Sequence, residues 1–176
     1  MASSSLYVFP QEGLNYLLNV APRGSVLPSN LYLGLFTTSW GTIEGYGYTN
    51  TAITLNSGSY PVAEVSGTGG GGYARIALNS GSWGAPVNGT TVIGANTINV
   101  QQTTYNSALT FTCTSGTWTS VYGIFVATSG QLNSVSNGTS NTVLWYAPFS
   151  DQNPVTLASG DSLAITPTWQ SAPYPA

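Results

Sequence analysis

Apolar and polar residues alternate along most of the chain after its first 28 positions, which is the pattern of half-buried β-strands. The segment NLYLGLFTTSW spans residues 30–40. Its residues Leu31, Leu33 and Leu35 share one face of the predicted strand, and Phe36 marks the other. Six later segments have the same character: GYARIAL, NTINVQQ, SALTFTCT, GTWTSVYGIFVATSG, NTVLWYAPFS and GDSLAITPTWQ.

These segments are rich in β-branched and aromatic residues, and each is bounded by Gly, Asn, Ser or Pro. No second helical pattern is present that would cover a parallel sheet. We therefore predict an all-β fold, an antiparallel β-sandwich or jelly-roll-like domain over residues 29–176. The polar loops 41–70 and 129–141 are expected at its ends.

A short amphipathic helix is predicted near the N-terminus, in PQEGLNYLLNVAPRG, where Leu14, Leu17 and Leu18 share a face. Gly13 weakens this helix by about 1 kcal/mol relative to Ala. The helix should therefore be held by docking its leucine face on another surface. Residues 1–28 are predicted to form an arm and a short helix that dock on or beyond the core.

Charge is nearly absent from the chain. Charged residues make up 4% of the sequence, against about 25% in a typical soluble domain, and the net charge is −3. Arg23 and Arg75 are the only basic residues, so the chain cannot form the basic surface that nucleic acid requires. Weak mutual repulsion suits a protein that is packed against copies of itself, and composition therefore favours an assembly component.

The glycine-rich segment SGTGGGGYARIAL resembles a phosphate-binding loop only superficially. A P-loop needs a lysine, which the chain lacks, and a dinucleotide-binding loop leads into a helix. Here the glycines lead into alternating residues, and Tyr73, Arg75 and Ala77 are predicted to share a strand face. The glycines are interpreted as a flexible loop or as a place where another chain's backbone approaches closely. Arg75 is expected to pair with a carboxylate such as Glu64 or to bind loop carbonyls.

Catalytic and metal-binding chemistry has few candidate residues. The chain has no His, no Lys, one Cys and five carboxylates, so most acid–base and nucleophile pairs are excluded, and no cofactor is predicted. Asp151 and Asp161 lie in turn-like segments, where an Asp usually bonds its own backbone, and an active carboxylate pair or a calcium site with Asn153 is disfavoured. Cys113 is expected to be a buried small apolar residue.

Aromatic residues are the remaining candidates for a functional role, and the chain has five Trp, eleven Tyr and five Phe. Rings on a β-surface serve as core filler, as interface anchors or as stacking platforms for sugars. Core and interface roles are favoured, and glycan binding is kept as the less favoured alternative. The N-terminal MASSSLYVF lacks a basic region, and no apolar stretch is long enough to cross a bilayer, so neither export nor a membrane is expected.

The order of several motifs resembles that of small structural proteins of tailed bacteriophages. These motifs are the leucine-bearing helix EGLNYLLNVAP, then LYLGLFTT, GYARIAL, TSVYGIFVATSGQL, TVLWYAPFS and VTLASGDSLAITPTW. The resemblance covers about residues 10–170, and this chain departs from it in its scarcity of charge and in the glycine-rich insertion before Tyr73. It implies a β-rich virion component on the capsid or the tail and brings no catalytic residue with it.

Resemblance and composition together predict a non-enzymatic virion protein that is made in the host cytoplasm. The expected role is a capsid decoration or cement protein, a homotrimer that binds the major capsid protein. The alternatives are a tail-associated receptor- or glycan-binding module and a tail adaptor or baseplate element. The predicted interface residues are Leu14, Leu17, Leu18, Gly70, Gly71, Tyr73 and Arg75.

Overall fold

The structure is a computed structural model that describes residues 10–20, 23, 30–47, 53–56, 61–65, 71–93, 96–131, 142–149 and 153–171. Its helices are α1 (Gln11–Val20) and α2 (Trp40–Gly47), with a 3₁₀ turn at Ser80–Ser82. The strands are β1 (Asn30–Phe36), β2 (Thr54–Leu55), β3 (Pro61–Val62), β4 (Ile76–Asn79), β5 (Val87–Ile93), β6 (Asn96–Thr104), β7 (Leu109–Thr112), β8 (Thr117–Val121), β9 (Gly123–Ala127), β10 (Val143–Pro148), β11 (Val155–Ala158), β12 (Ser162–Ile165) and β13 (Thr168–Ser171).

These strands confirm the predicted all-β class. They pair in antiparallel sheets, apart from the two-residue parallel pair of β2 and β3, and the arrangement is consistent with a β-sandwich. A jelly-roll order stays a prediction.

A four-stranded sheet with the order β10-β9-β1-β4, here called the central sheet, carries most of the buried strand positions. Strand β1 lies between two neighbours, so that Leu33 is opposite Ile76 on β4 and opposite Val126 on β9. Strands β9 and β10 are buried along almost their whole length. Consecutive residues of a strand point to opposite faces, so such continuous burial requires a cover on both faces of the sheet.

The first core covers one of these faces. Leu33, Leu35 and Val126 of the central sheet pack in one cluster with Phe111 of β7 and Trp118 of β8. Burying an aliphatic or aromatic side chain of this size contributes about 1.5–3 kcal/mol. The shared face predicted for the β1 leucines is confirmed by this cluster.

The second core covers the opposite face, and it contains a helix that the sequence analysis did not predict. Phe36 and Tyr146 of the central sheet pack with Trp40 and Ile43 of α2. The Ile43 amide donates to the Ser39 carbonyl at 3.2 Å, which begins the helix. The prediction of a polar loop from residue 41 onward was therefore wrong for α2, because its apolar residues three positions apart form a face that the sheet buries.

A long antiparallel ribbon accounts for the rest of the topology. Residues 101–127 run antiparallel to residues 143–171 through four successive strand pairs: β9 with β10, β8 with β11, β7 with β12 and β6 with β13. Backbone hydrogen bonds between Cys113 and the Gly160–Asp161 turn bridge one of the interruptions. Within the β8–β11 pair, β8 carries an extra residue at Ser120, whose φ is 55°. Such a bulge bends a ribbon, and this one lies where the ribbon leaves the central sheet and covers the first core.

The end of this ribbon forms a second, three-stranded sheet with the order β13-β6-β5, here called the peripheral sheet. The β5–β6 hairpin pairs in continuous register from Val87 opposite Gln102 to Ile93 opposite Asn96. Thr97 and Asn99 are exposed, whereas Val100 is buried. Much of this hairpin therefore lies outside the two cores.

Candidate functional site

A cluster of polar and charged side chains surrounds a buried ion pair between Glu64 and Arg75. Glu64 forms an isolated bridge with Phe36 at the end of β1, and Arg75 directly precedes β4. The two charged side chains are almost fully shielded from solvent. The predicted partnership of these two residues is confirmed.

The geometry of the pair is bidentate. Arg75 Nε donates to Glu64 Oε1 at 2.7 Å, and its Nη2 donates to Oε2 at 2.8 Å. The remaining terminal nitrogen, Nη1, donates to the Ser129 carbonyl at 2.6 Å, so Arg75 also binds a loop carbonyl as expected. The guanidinium carbon lies 5.1 Å from the centre of the Phe125 ring, within the range of a cation–π contact.

Neutral groups complete the environment of the Glu64 carboxylate. The Tyr73 hydroxyl donates to Oε1 at 2.9 Å and accepts the Leu35 amide at 2.9 Å. Asn56 donates to Oε2 at 3.4 Å and accepts the Glu64 amide at 2.9 Å. Burial raises the pKa of Tyr73 well above its ordinary value, and the nearby Glu64 charge adds to the increase. Such a satisfied, closed network joins distant segments of the chain and suits a structural role.

The described end of the glycine run packs against the same chain. Gly72 has a φ of +83°, which favours glycine, and a Cβ there would lie 2.4 Å from the Thr114 hydroxyl. A Cβ on Gly71 would collide with Ser115, and the Gly71 carbonyl accepts the Thr114 amide at 2.8 Å. At Gly71 and Gly72 the close approach is therefore made by the chain's own β7–β8 turn, so the interpretation that another chain's backbone approaches here was wrong for these two glycines. Gly70 lies outside the described residues.

Helix α1 docks on β10 through a face that the sequence analysis did not identify. Gly13 is buried, and a Cβ at this position would lie 2.3 Å from the Leu144 carbonyl oxygen. The Val143 amide donates to the Glu12 carboxylate at 3.2 Å, and Tyr16 packs against the first core. On this domain the close contact is therefore made by a glycine and not by the leucine face, and docking of the leucine face on another surface stays a prediction.

The leucines of α1 consequently point away from this contact. The side chains of Leu14 and Leu18 are 48% and 61% exposed, and Leu17 is half-buried. Leu14 and Leu18 are two of the four large apolar residues that are exposed in the described part of the chain. They lie one helical turn apart, so they form one small apolar surface on α1.

The predicted interface residues therefore do not share one environment. Leu14 and Leu18 are at the surface, whereas Tyr73 and Arg75 are buried within the chain and Gly71 lies against Ser115. Arg75 is conspicuous in the sequence because the chain has only two basic residues. The docking role of Gly13 was missed because it depends on a strand about 130 residues away.

The remaining titratable residues have structural positions. Asp161 accepts the Ala158 amide at 2.8 Å, which confirms the backbone role predicted for it, and Cys113 is fully buried as expected. Asp151 lies outside the described residues. In the described part of the chain, no group of three or more His, Cys, Asp or Glu side chains could hold a metal ion. No helix described there is long and apolar enough to span a membrane.

The aromatic rings occupy the cores and their margins. Trp40, Trp118 and Trp145 are buried, and Trp83 and Trp169 are half-buried. The half-buried rings meet neighbours edge to face: Trp83 contacts Tyr105, and Trp169 contacts Trp145. Every aromatic side chain in the described ranges is buried or half-buried, so no fully exposed ring is available there as a stacking platform for sugars.

No family model matches the chain, and no curated protein matches it in sequence.

Proposed function

We propose that this chain is a non-enzymatic structural protein of a tailed-phage virion, acting as a capsid decoration or cement protein. The observation that carries the proposal is the outward leucine surface of α1. The helix is fixed to its own domain through Gly13 and Glu12, so Leu14 and Leu18 are held in a defined position for another subunit. Exposed apolar groups on a rigid element are the usual core of a protein–protein interface.

The uncharged character of the chain supports the same role. The few charges include the Glu64–Arg75 pair, which is neutralised inside the domain. The surface of a chain with so few charges makes contacts through the burial of apolar groups and through hydrogen bonds between neutral groups. A cement protein of this kind stabilises the shell because it binds the assembled state and not the separate capsid subunits. The major capsid protein and other copies of this chain are the proposed partners.

Copy number in the particle tests this proposal. Particles of the phage that encodes the chain would be purified, and peptides of this protein and of the major capsid protein would be quantified by mass spectrometry with labelled standards. One copy per capsid subunit, or one trimer per local three-fold axis, is expected. A few copies per particle would contradict the cement role and favour the tail, with a glycan-binding screen as the next experiment. Absence from the particle would overturn the virion role altogether.

Substitution of the leucine surface tests the proposed contact. The double variant Leu14→Gln/Leu18→Gln should fold normally but lose binding to particles that lack the protein, because the apolar contact area is removed. Val155→Gln is the matched control, since Val155 is also apolar and 36% exposed but lies on β11. Equal binding by the double variant and the control would exclude α1 as the contact.

A further inference from the structure

The peripheral sheet ends in a strand edge that no other described strand pairs with. β5 is its outermost strand, and among the described strands it pairs with β6 alone. Alternate residues of an edge strand direct their backbone N–H and C=O groups away from the neighbouring strand. A long edge of this kind is a template for another strand, so proteins usually shorten, bend or cover it.

The other strand edges in the described part of the chain are shorter than β5 or are covered. β2, β3, β4, β7, β8, β11, β12 and β13 are two to five residues long. β8 is also bent by the bulge at Ser120. β10 has six residues, and α1 packs against it with Glu12 accepting the Val143 amide. β5 has seven residues, and its exposed positions include Val87, which is 53% exposed.

The sequence of β5 contains none of the usual protective residues. VNGTTVI has neither a charge nor a proline, and five of its seven residues are β-branched. Residues 76–150 carry no charged side chain at all. A strand with high β-propensity and no charge therefore has no feature that would repel an identical strand.

Amide side chains hold β5 in place as part of a regular sheet. Gln101 donates to Asn88 across the β5–β6 pair, and Gln170 of β13 donates to Gln102 at 3.0 Å. A Cβ on Gly89 would lie 2.8 Å from the Gln102 side-chain amide, so this amide lies closely over the backbone of β5. The edge is thus pre-ordered, and another strand could pair with it at little further entropic cost.

We propose that β5 pairs antiparallel with β5 of a second copy of the chain, which joins two peripheral sheets into one six-stranded sheet. The full overlap of the seven residues is centred on Thr90, which would be opposite Thr90 of the other copy. Val87 would then be opposite Ile93, and Gly89 opposite Thr91. Antiparallel pairing of identical strands is self-complementary and closes at two copies.

A second copy fits this edge better than a charged partner does, because nothing on β5 can form an ion pair. Opposed Thr residues are favourable cross-strand neighbours, and like charges at the same place are unfavourable. The pairing goes beyond the proposed function, since it does not require a virion. It also differs from the three-fold association expected from the phage resemblance, and a mass measurement separates the two.

The first experiment is light scattering coupled to size-exclusion chromatography of the full chain over a wide concentration range. The expected result is a mass of twice 18.3 kDa that falls to the single-chain mass on dilution. Thr90→Lys should remain monomeric at every concentration, because two lysines would be opposite each other. A wild-type monomer throughout, or a trimer, would overturn the proposal while leaving the copy-number test of the virion role unaffected.

Charge complementation makes the test specific for the central position. Thr90→Lys and Thr90→Glu should each be monomeric alone and should form a dimer when mixed, since the opposed charges are then unlike. Thr110→Lys is the control, because Thr110 is an exposed threonine on β7 and its substitution should leave the dimer intact. Circular dichroism would verify that all variants are folded. A dimer that survives Thr90→Lys, or that is lost equally in Thr110→Lys, would contradict pairing through β5.

Discussion

The central sheet and the peripheral sheet both consist of antiparallel strands but are completed in different ways. In the central sheet, one face is covered by the ribbon, the other by α2, and the β10 edge by α1. In the peripheral sheet, β5 leaves a seven-residue edge beside exposed side chains. The comparison separates the part of the chain that provides stability from the part that is available for association.

The two sheets also differ in whether their polar side chains are buried or exposed. The central sheet lies beside the buried Glu64–Arg75 pair, which has its hydrogen bonds satisfied inside the chain. The peripheral sheet uses exposed or half-buried amides such as Asn88 and Gln102. Substitutions near the central sheet should therefore affect unfolding, and substitutions on β5 should affect association.

The largest expected effect comes from breaking the buried pair. Glu64→Gln leaves the Arg75 charge buried without a counter-charge, and the free energy of unfolding should fall by about 3–5 kcal/mol. Urea denaturation followed by tryptophan fluorescence would measure it. Asp161→Asn, which removes an exposed carboxylate but keeps an acceptor for Ala158, should cost no more than about 0.5 kcal/mol. If the free energy of unfolding fell no more for Glu64→Gln than for Asp161→Asn, the buried pair would contribute little to stability.

Substitution at the contact between α1 and β10 should give the next largest effect on the free energy of unfolding. The matched control, a glycine substitution in α2, should change this free energy in the opposite direction. Gly13→Ala places a Cβ against the Leu144 carbonyl and should destabilise the fold by about 1–3 kcal/mol through overpacking. Gly45→Ala in α2 meets no atom within 4 Å and should stabilise by up to about 1 kcal/mol through helix propensity. Thermal unfolding of both variants measures the difference, and stabilisation by Gly13→Ala would contradict the docking of α1.

Alkaline pH should weaken the central region. Burial raises the pKa of Tyr73 and of Tyr146 well above the ordinary value of 10.0. The folded state therefore holds these protons more tightly than the unfolded state, and stability is unaffected below about pH 10 and falls as the pH rises above it. Denaturant midpoints across the alkaline range would show this decline. Tyr73→Phe should reduce the slope of the free energy of unfolding against pH in this range. An unchanged slope would show that Tyr73 does not contribute to the decline.

The smallest effect on unfolding is expected at the β5 edge. Asn88→Ala removes one exposed amide contact with Gln101 and should change the monomer's stability by less than about 0.5 kcal/mol. Denaturation at a concentration where the chain is monomeric would measure this value. A loss as large as that of Glu64→Gln would remove the distinction between the two sheets.

Local pattern was sufficient to predict several features from the sequence. The leucines of β1 alternate, and so their shared face could be predicted. Arg75 could be expected to pair with a carboxylate such as Glu64 or to bind loop carbonyls, because the chain has only five carboxylates. In both cases, one physical requirement left few alternatives.

Features that depend on distant parts of the chain could not be predicted in the same way. In α2, Gly41 and Gly45 obscured the apolar face of Trp40 and Ile43, which becomes stable only when the sheet buries it. Gly13 was treated as a weakness of its helix because its partner, Leu144, is remote in sequence. Strand β5 itself was not predicted, because Asn88-Gly89 is typical of a hairpin turn, whereas in the structure this dipeptide lies inside the strand.

The most direct test of the distinction between the two sheets is amide hydrogen exchange of the chain at two concentrations, one at which it is monomeric and one at which the proposed β5 pairing forms. We expect β9 to exchange slowly at both concentrations, whereas β5 becomes protected only at the higher one. Unchanged exchange in β5, or new protection confined to the central sheet, would contradict the distinction.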